Sequence, residues 1–331
     1  MRVLLTGGCG FIGSHTAISL LDAGHDAVLI DNFNNSQRDV ADRISQIARR
    51  PIPIIDGDIR DLALLQHVFA EQRPDAVIHF AGLKAVAESV AHPLKYYANN
   101  VGGTLSLLDA MQSVDLRTIV FSSSATVYGE PQALPIDEGH PTGAVSPYGQ
   151  AKLICENILA DLARSDQRWR VSLLRYFNPV GAHSSGLIGE DPRGIPNNLM
   201  PLLTRAATGK TEALQVYGTD YPTPDGSAVR DYVHVVDLAE GHVAALENLD
   251  RGQNLGVYNL GTGRGTSVLE LISAFEQATG VEVPHVAAER RPGDVSELYA
   301  ATEKANRELG WTSKRSLADM CSDSLRFAFN N

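Results

Sequence analysis

Thr6-Gly7-Gly8-Cys9-Gly10-Phe11-Ile12-Gly13 is the stretch on which the fold turns. It follows a short apolar run, Val3–Thr6, and opens a helical pattern that reaches about Ala23. Gly8, Gly10 and Gly13 satisfy G-x-G-x-x-G; Gly7, Gly10 and Gly13 satisfy the wider G-x-x-G-x-x-G. One glycine allows the tight turn, one lets the backbone approach a pyrophosphate, and one lets helix and strand pack closely. The helix N-terminus then turns free N–H groups toward phosphates. Taken alone, such a loop reads equally as a bare glycine turn. A second apolar run, Ala27–Asp31, supplies context. It ends in an acid eighteen residues past Gly13. A carboxylate there meets adenosine ribose hydroxyls and repels a 2′-phosphate, so NAD is expected rather than NADP.

The alternation continues. Ile52–Ile55, Asp75–Phe80, Thr118–Ser122 and Val171–Arg175 are short apolar runs. Helical patterns over Leu62–Gln72, about Pro93–Met111 and Tyr148–Arg164 separate them. Continuous Val, Ile and Leu runs suit strands buried on both faces, and intervening helices give parallel crossovers. The expected fold is α/β, a Rossmann-type doubly wound parallel sheet. After Phe177 the texture changes to proline- and glycine-rich stretches with shorter elements. Residues 1–178 read as an NAD-binding domain and 179–331 as a smaller C-terminal lobe, with some segments returning to the first domain.

Composition bounds the function. The chain has 331 residues, with 28 Lys+Arg against 39 Asp+Glu, a formal net charge of −11. That balance argues against nucleic acid or an anionic membrane surface as partner. No apolar run is long enough to span a bilayer. The N-terminus lacks the apolar core of a signal peptide, so a cytoplasmic chain is expected. Cys9, Cys155 and Cys321 are far apart and form no disulfide framework. No His/Cys spacing asks for a metal. A second glycine cluster, Gly261-Thr262-Gly263-Arg264-Gly265, has no acid at a following strand end and reads as a tight strand–helix turn.

Tyr148 and Lys152 stand four apart on a predicted helix, hence on one face. A free tyrosine titrates near 10, about three units too high for a base at neutral pH. Lowering it that far takes roughly 4 kcal/mol, which a nearby ammonium and the nicotinamide charge can supply. Without the glycine loop the pair is an ordinary solvated helix face. Ser124, closing a run expected to be parallel, can hydrogen-bond the same substrate hydroxyl.

With these residues the chain resembles the extended short-chain dehydrogenase/reductase family, in its nucleotide-sugar 4-epimerase branch. The stretches carrying the resemblance are Thr6–Gly13, Phe80–Val86, Ser122–Gly129, Tyr148–Lys152, Tyr176–His183, residues 194–201 and Arg230–Val235. They run through nearly the whole chain. The resemblance implies catalysis by Tyr148, Lys152 and Ser124. It implies NAD contacts from Gly7, Gly10, Phe11, Ile12, Gly13, Asp31, Asn32, Asp58, Ile59, Phe80, Ala81, Gly82, Lys84, Asn99, Lys152 and Phe177. It implies UDP-sugar contacts from Ser124, Tyr148, Asn178, Asn198, Leu199, Tyr217, Arg230, Arg291 and Asp294, with Leu298 as a gate beside the sugar's 2-substituent. The implied reaction interconverts UDP-galactose and UDP-glucose through a transient 4-keto sugar and enzyme-bound NADH. Activity on UDP-N-acetylglucosamine and UDP-N-acetylgalactosamine is an open addition, and a homodimer is implied. Alternatives are another NAD-dependent nucleotide-sugar epimerase or dehydratase, or a non-catalytic NAD-sensing protein on the same fold.

Overall fold

The computed structural model describes residues 1–194, 196–249, 254–291 and 293–331. Ile195, inside one of the resembling stretches, lies outside the described residues. Seven parallel strands form the central sheet. Their spatial order is Leu255–Leu260, Arg170–Tyr176, Thr118–Ser124, Ala76–His79, Arg2–Thr6, Asp26–Asp31 and Ile54–Asp56. The order reverses beside Arg2–Thr6, whose neighbours are the second and fourth strands in the chain. That switch point opens a crevice at the C-terminal strand ends, where ligands bind in such sheets. The Rossmann-type reading of the sequence is the observed architecture.

Both faces of the sheet are covered. One apolar layer gathers Leu5, Ala17, Leu20, Leu29, Ile44, Leu238 and Trp311. The opposite layer gathers Leu4, Leu65, Phe69, Leu107, Met111, Leu159 and Trp169. Successive side chains of Arg2–Thr6 enter opposite layers, so this strand is apolar throughout rather than alternating. A separate core of Val180, Leu203, Val216, Leu271, Phe275 and Leu325 lies among the later elements. Two late segments join the sheet. Leu255–Leu260 pairs with Arg170–Tyr176, and the helix Val235–Asn248 packs on the helix Phe11–Asp22.

One expected helix is broken. The stretch from Pro93 to Met111 is a short turn at Pro93–Tyr96, a wide π-helical segment at Tyr97–Gly102, and a regular helix at Gly103–Ser113. Asn100 in the wide turn brackets Leu83, accepting from its N–H at 2.8 Å and donating to its carbonyl at 3.0 Å. Wide turns of this kind favour functional sites, and this one fixes the backbone next to Lys84. No helix among the described residues is long and apolar enough to cross a membrane.

Candidate active site

The glycine loop is tight enough to exclude side chains at chosen points. Gly7 has φ 68°, and a Cβ there would lie 2.8 Å from the Ala81 nitrogen. A Cβ on Gly13 would lie 2.4 Å from the Gly7 carbonyl oxygen, so this glycine sets the helix–loop packing. Gly10 is different: its Cβ would meet nothing closer than the Gly7 oxygen at 3.2 Å. It presents bare backbone to the crevice. The following helix, Phe11–Asp22, has no side-chain cap. Its first-turn N–H groups, those of Phe11, Ile12 and Gly13, therefore suit a pyrophosphate. These residues fit a dinucleotide.

Asp31 ends the second strand, nearly buried, and braces this loop. One carboxylate oxygen accepts from the Cys9 N–H at 3.0 Å; the other accepts from the Phe33 N–H at 2.8 Å and the Ser36 hydroxyl at 2.9 Å. Sequence reasoning gave Asp31 to ribose alone. It also fixes the loop's shape. Asn32 donates to Asp58 at 3.0 Å, joining the ends of the second and third strands. Hydrogen bonds from the Arg60 guanidinium hold the Asp58 carboxyl well below its ordinary range. Ile59 is buried against Gly103, where a Cβ would lie 2.5 Å from it.

The fourth strand carries Phe80, Ala81 and Gly82 into the crevice at its end. Phe80 packs on the His242 ring at 4.8 Å between centroids. The Ala81 N–H donates to the Thr6 hydroxyl at 3.3 Å, which also bonds His79 at 2.6 Å. Gly82 lies against the Asn100 amide. Asn99, half-buried, belongs to the wide turn.

Ser124 closes the fifth strand and caps the short turn Ala125–Val127, accepting from the Thr126 N–H at 3.2 Å and its hydroxyl at 3.0 Å. Tyr148 lies in the first turn of Pro147–Ser165, a helix capped by Ser146 and opened by Pro147. Burial pushes the Tyr148 phenol up, and the neighbouring Ser124 hydroxyl acts the other way. Lys152, one turn on, donates to the Ser122 carbonyl at 2.6 Å and lies 5.0 Å over the Phe121 ring. Burial brings its ammonium down to about 8, against the pull of Cys155 and Glu156. At the phenol, burial outweighs the Ser124 hydrogen bond.

On the far side, Arg230 sits on the strand Val229–Arg230 between Thr266 and Leu298. Burial pulls its pKa down, with Tyr232, Asp294 and Tyr221 opposing. Arg291 lies over the Tyr217 ring at 4.7 Å and pairs with Asp294 at 2.9 Å. Tyr217, Arg230, Arg291 and Asp294 therefore form one cluster. Arg290 points away, into an exposed ion pair with Asp220 at 2.7 Å. Asn178 starts a short strand whose N–H donates to the Asp231 carbonyl at 2.9 Å. Phe177 is buried in an apolar group with Ala125, Val127, Tyr128, Ile136 and Ala300, and Leu298 packs on its edge. Asn198 precedes the helix Leu199–Ala207, whose first residue, Leu199, packs on the lobe core.

Two residues escaped the sequence. Asp231 is fully buried, and the second glycine cluster is wrapped around its carboxylate. The N–H groups of Thr262 at 2.7 Å, Gly263 at 3.0 Å and Ala300 at 3.2 Å donate to it, as does the Thr262 hydroxyl at 2.6 Å. That turn grips the chain's own acid and so fixes the neighbouring Arg230. The other is Glu190, which bonds both Lys84 and Asn198. Neither partnership has a local signature, because the partners lie far apart in sequence.

A family profile described as GDP-mannose 4,6 dehydratase matches residues 4–324. The UDP-glucose 4-epimerase of Bacillus subtilis (strain 168) is 55% identical over 331 residues, covering 100% of this chain and 98% of that protein. The chain belongs to the UDP-glucose 4-epimerase family. The mouse UDP-glucose 4-epimerase is 51% identical over 337 residues, covering 100% of this chain and 97% of that protein. The crystal structure of the Bifidobacterium longum UDP-glucose 4-epimerase, in complex with NAD+ and UDP, superposes with a TM-score of 0.97. It is 53% identical and covers 100% of this chain and 99% of that one. Membership of this epimerase family places the chain among the extended short-chain dehydrogenase/reductases.

Proposed function

We infer that the chain is an NAD-dependent UDP-glucose 4-epimerase that interconverts UDP-galactose and UDP-glucose. The observation that carries this reading is Tyr148 beside Ser124 at the mouth of a parallel sheet. A bare-backbone phosphate loop lies on one side and an arginine cluster on the other. NAD, when bound, supplies both the acceptor and the donor of the hydride exchanged with the sugar's 4-carbon. The loop Gly7–Gly13, Asp31, Asn32, Asp58, Ile59, Phe80–Gly82, Lys84, Asn99, Lys152 and Phe177 hold it.

Tyr148 takes the 4-hydroxyl proton and later returns it. Ser124 orients that hydroxyl. Lys152 holds a positive charge one helical turn away and favours the phenolate. Arg230 and Arg291 clamp the diphosphate with forked donors that lysine cannot imitate. Asp294 accepts from ribose hydroxyls, and Tyr217 flanks the base. Asn178, Asn198 and Leu199 border the sugar, and Leu298 limits room at its 2-position. Leucine lacks the ring and hydroxyl of tyrosine, so N-acetylated sugars enter as secondary substrates.

A dehydratase, the activity in the family profile's description, needs an acid beside the catalytic serine. Ser124 is followed by Ala125, Thr126 and Val127, which favours the epimerase. Residues 1–178 serve NAD and 179–331 the UDP-sugar, with Val235–Asn248 and Leu255–Leu260 returning to the first unit. The chain acts as a cytoplasmic homodimer. Supporting the dimer, Leu94 is 82% exposed and Val90 and Leu105 stand out nearby, whereas Leu108 and Met111 are core. The deciding experiment is product analysis with UDP-galactose and UDP-N-acetylgalactosamine side by side, together with the sedimentation mass of the protein.

A further inference from the structure

Glu190 comes after the strand Asn178–Val180 and before the helix Leu199–Ala207 in the chain. Its side chain is only 7% exposed. One oxygen, Oε1, takes two hydrogen bonds: from the Lys84 ammonium at 2.7 Å and from the Asn198 amide at 2.5 Å. Lys84 follows the fourth strand of the central sheet, and Asn198 opens the first helix of the later lobe. The other oxygen, Oε2, is buried and finds no donor among the described residues.

A buried carboxylate is costly unless it is paired. Here the pairing spans the two halves of the crevice. Both partners keep capacity to spare. Lysine has three donors, and the asparagine amide has a second donor and an acceptor. Each can therefore hold Glu190 and a ligand together. Oε2 likewise keeps acceptor capacity for a hydroxyl.

We propose that Glu190 is a positioning residue that clasps the cofactor side of the site to its sugar side through Lys84 and Asn198. This rests on the reading given above for those two residues. Glu190 takes no part in proton transfer. It holds two ligand-binding groups in mutual register before the sugar arrives, so the loss expected without it is one of binding rather than of the chemical step.

The test uses the purified holoenzyme and the variants Glu190→Gln, Glu190→Ala, Lys84→Met and Glu190→Gln/Lys84→Met. Loss of a charge-assisted bond predicts a KM for UDP-galactose raised roughly tenfold in Glu190→Gln. kcat should fall by less, and the pH profile of kcat should keep its midpoint. NAD should leave the variant faster than wild type during gel filtration of dilute protein. The double variant should lose little beyond Lys84→Met alone. The proposal is overturned if both Glu190 variants fold and keep KM and NAD retention within about twofold of wild type, or if the two losses simply add. Should the Glu190 variants not fold, the cycle runs on Lys84→Met and Asn198→Ala; coupled losses support the clasp and additive ones overturn it. A wild type that holds NAD yet does not interconvert the sugars overturns the functional reading instead, and the NAD-retention arm still reports on the clasp.

Discussion

The Lys152 ammonium donates to the backbone carbonyl of Ser122 at 2.6 Å. Ser122 lies two residues before Ser124 on the same strand, and Lys152 lies one turn after Tyr148 on the facing helix. The contact therefore fixes the spacing between the proposed base and the strand end that supplies Ser124. Phe121 below and the buried helix face exclude water from the ammonium.

Lys152→Met should lower kcat by about 10² or more, through lost phenolate stabilisation and lost positioning. It should also change stability in a pH-dependent way. The folded-state pKa, about 8, lies below the ordinary 10.5. Between those values the unfolded chain binds the extra proton, so this group adds stability as pH rises from 8 to 10.5. Denaturant titrations of NAD-free wild type and variant across that range should diverge with that sign. Parallel curves would mean the ammonium is not desolvated.

The two glycines of the phosphate loop should part company. Gly13→Ala forces a Cβ to 2.4 Å from a backbone oxygen and should destabilise the fold. Gly10→Ala meets only the 3.2 Å contact, so it should fold, with bound NAD lost. Thermal melting and the NAD content of denatured supernatants separate the two. Equal melting losses would remove the distinction drawn between them.

Much of the first half was legible because buried parallel strands leave short continuous apolar runs, and these punctuate residues 1–176 clearly. Tyr148, Lys152 and Ser124 were legible because helical spacing and strand ends are local. Other features were not, and three of them show why. The stretch Pro93–Met111 keeps an apolar period through a segment the backbone widens around Asn100, so periodicity alone could not mark the break. The helix Leu317–Asn330 lies far from any motif, and its one local signal is the capping box of Ser316 and Asp319 at its start. Glu190 and Asp231 take their meaning from partners that only the fold brings near.

Acid should unfold the protein early. His15 and His79 are brought down to about 3 and His242 to about 4, burial being the main cause in each. His242 donates from Nδ1 to the Leu238 carbonyl at 2.8 Å, which leaves Nε2 to accept from the Tyr176 hydroxyl at 2.9 Å. Below the ordinary 6.5 the unfolded chain takes up these protons and the folded chain does not. Stability then falls with pH by about 1.4 kcal/mol per histidine per pH unit. Asp231 and Glu138, raised by burial, offset part of this as the pH falls through their own titrations. Calorimetry from pH 7 to 5 should show a falling Tm, less steep in His242→Gln. A flat Tm would contradict the neutral, buried assignment.

Leu298 should govern substrate range. It pairs with Arg230 in register and borders the group around Phe177. Leu298→Tyr should depress activity on N-acetylated UDP-sugars more than on plain ones, by roughly tenfold as steric discrimination usually allows. Relative kcat/KM values on both pairs check it. An unchanged ratio would place the gate elsewhere.

The most direct measurement follows conversion of UDP-galactose to UDP-glucose with no added nucleotide, for wild type and for Tyr148→Phe. The phenol oxygen is all that the variant loses, so fold and NAD content should match wild type. Wild type is predicted to reach equilibrium on its own retained NAD, and the variant to be slower by about 10²–10⁴-fold. A variant within about threefold of wild type would contradict Tyr148 as the base. A wild type that leaves UDP-galactose unchanged would contradict the account as a whole.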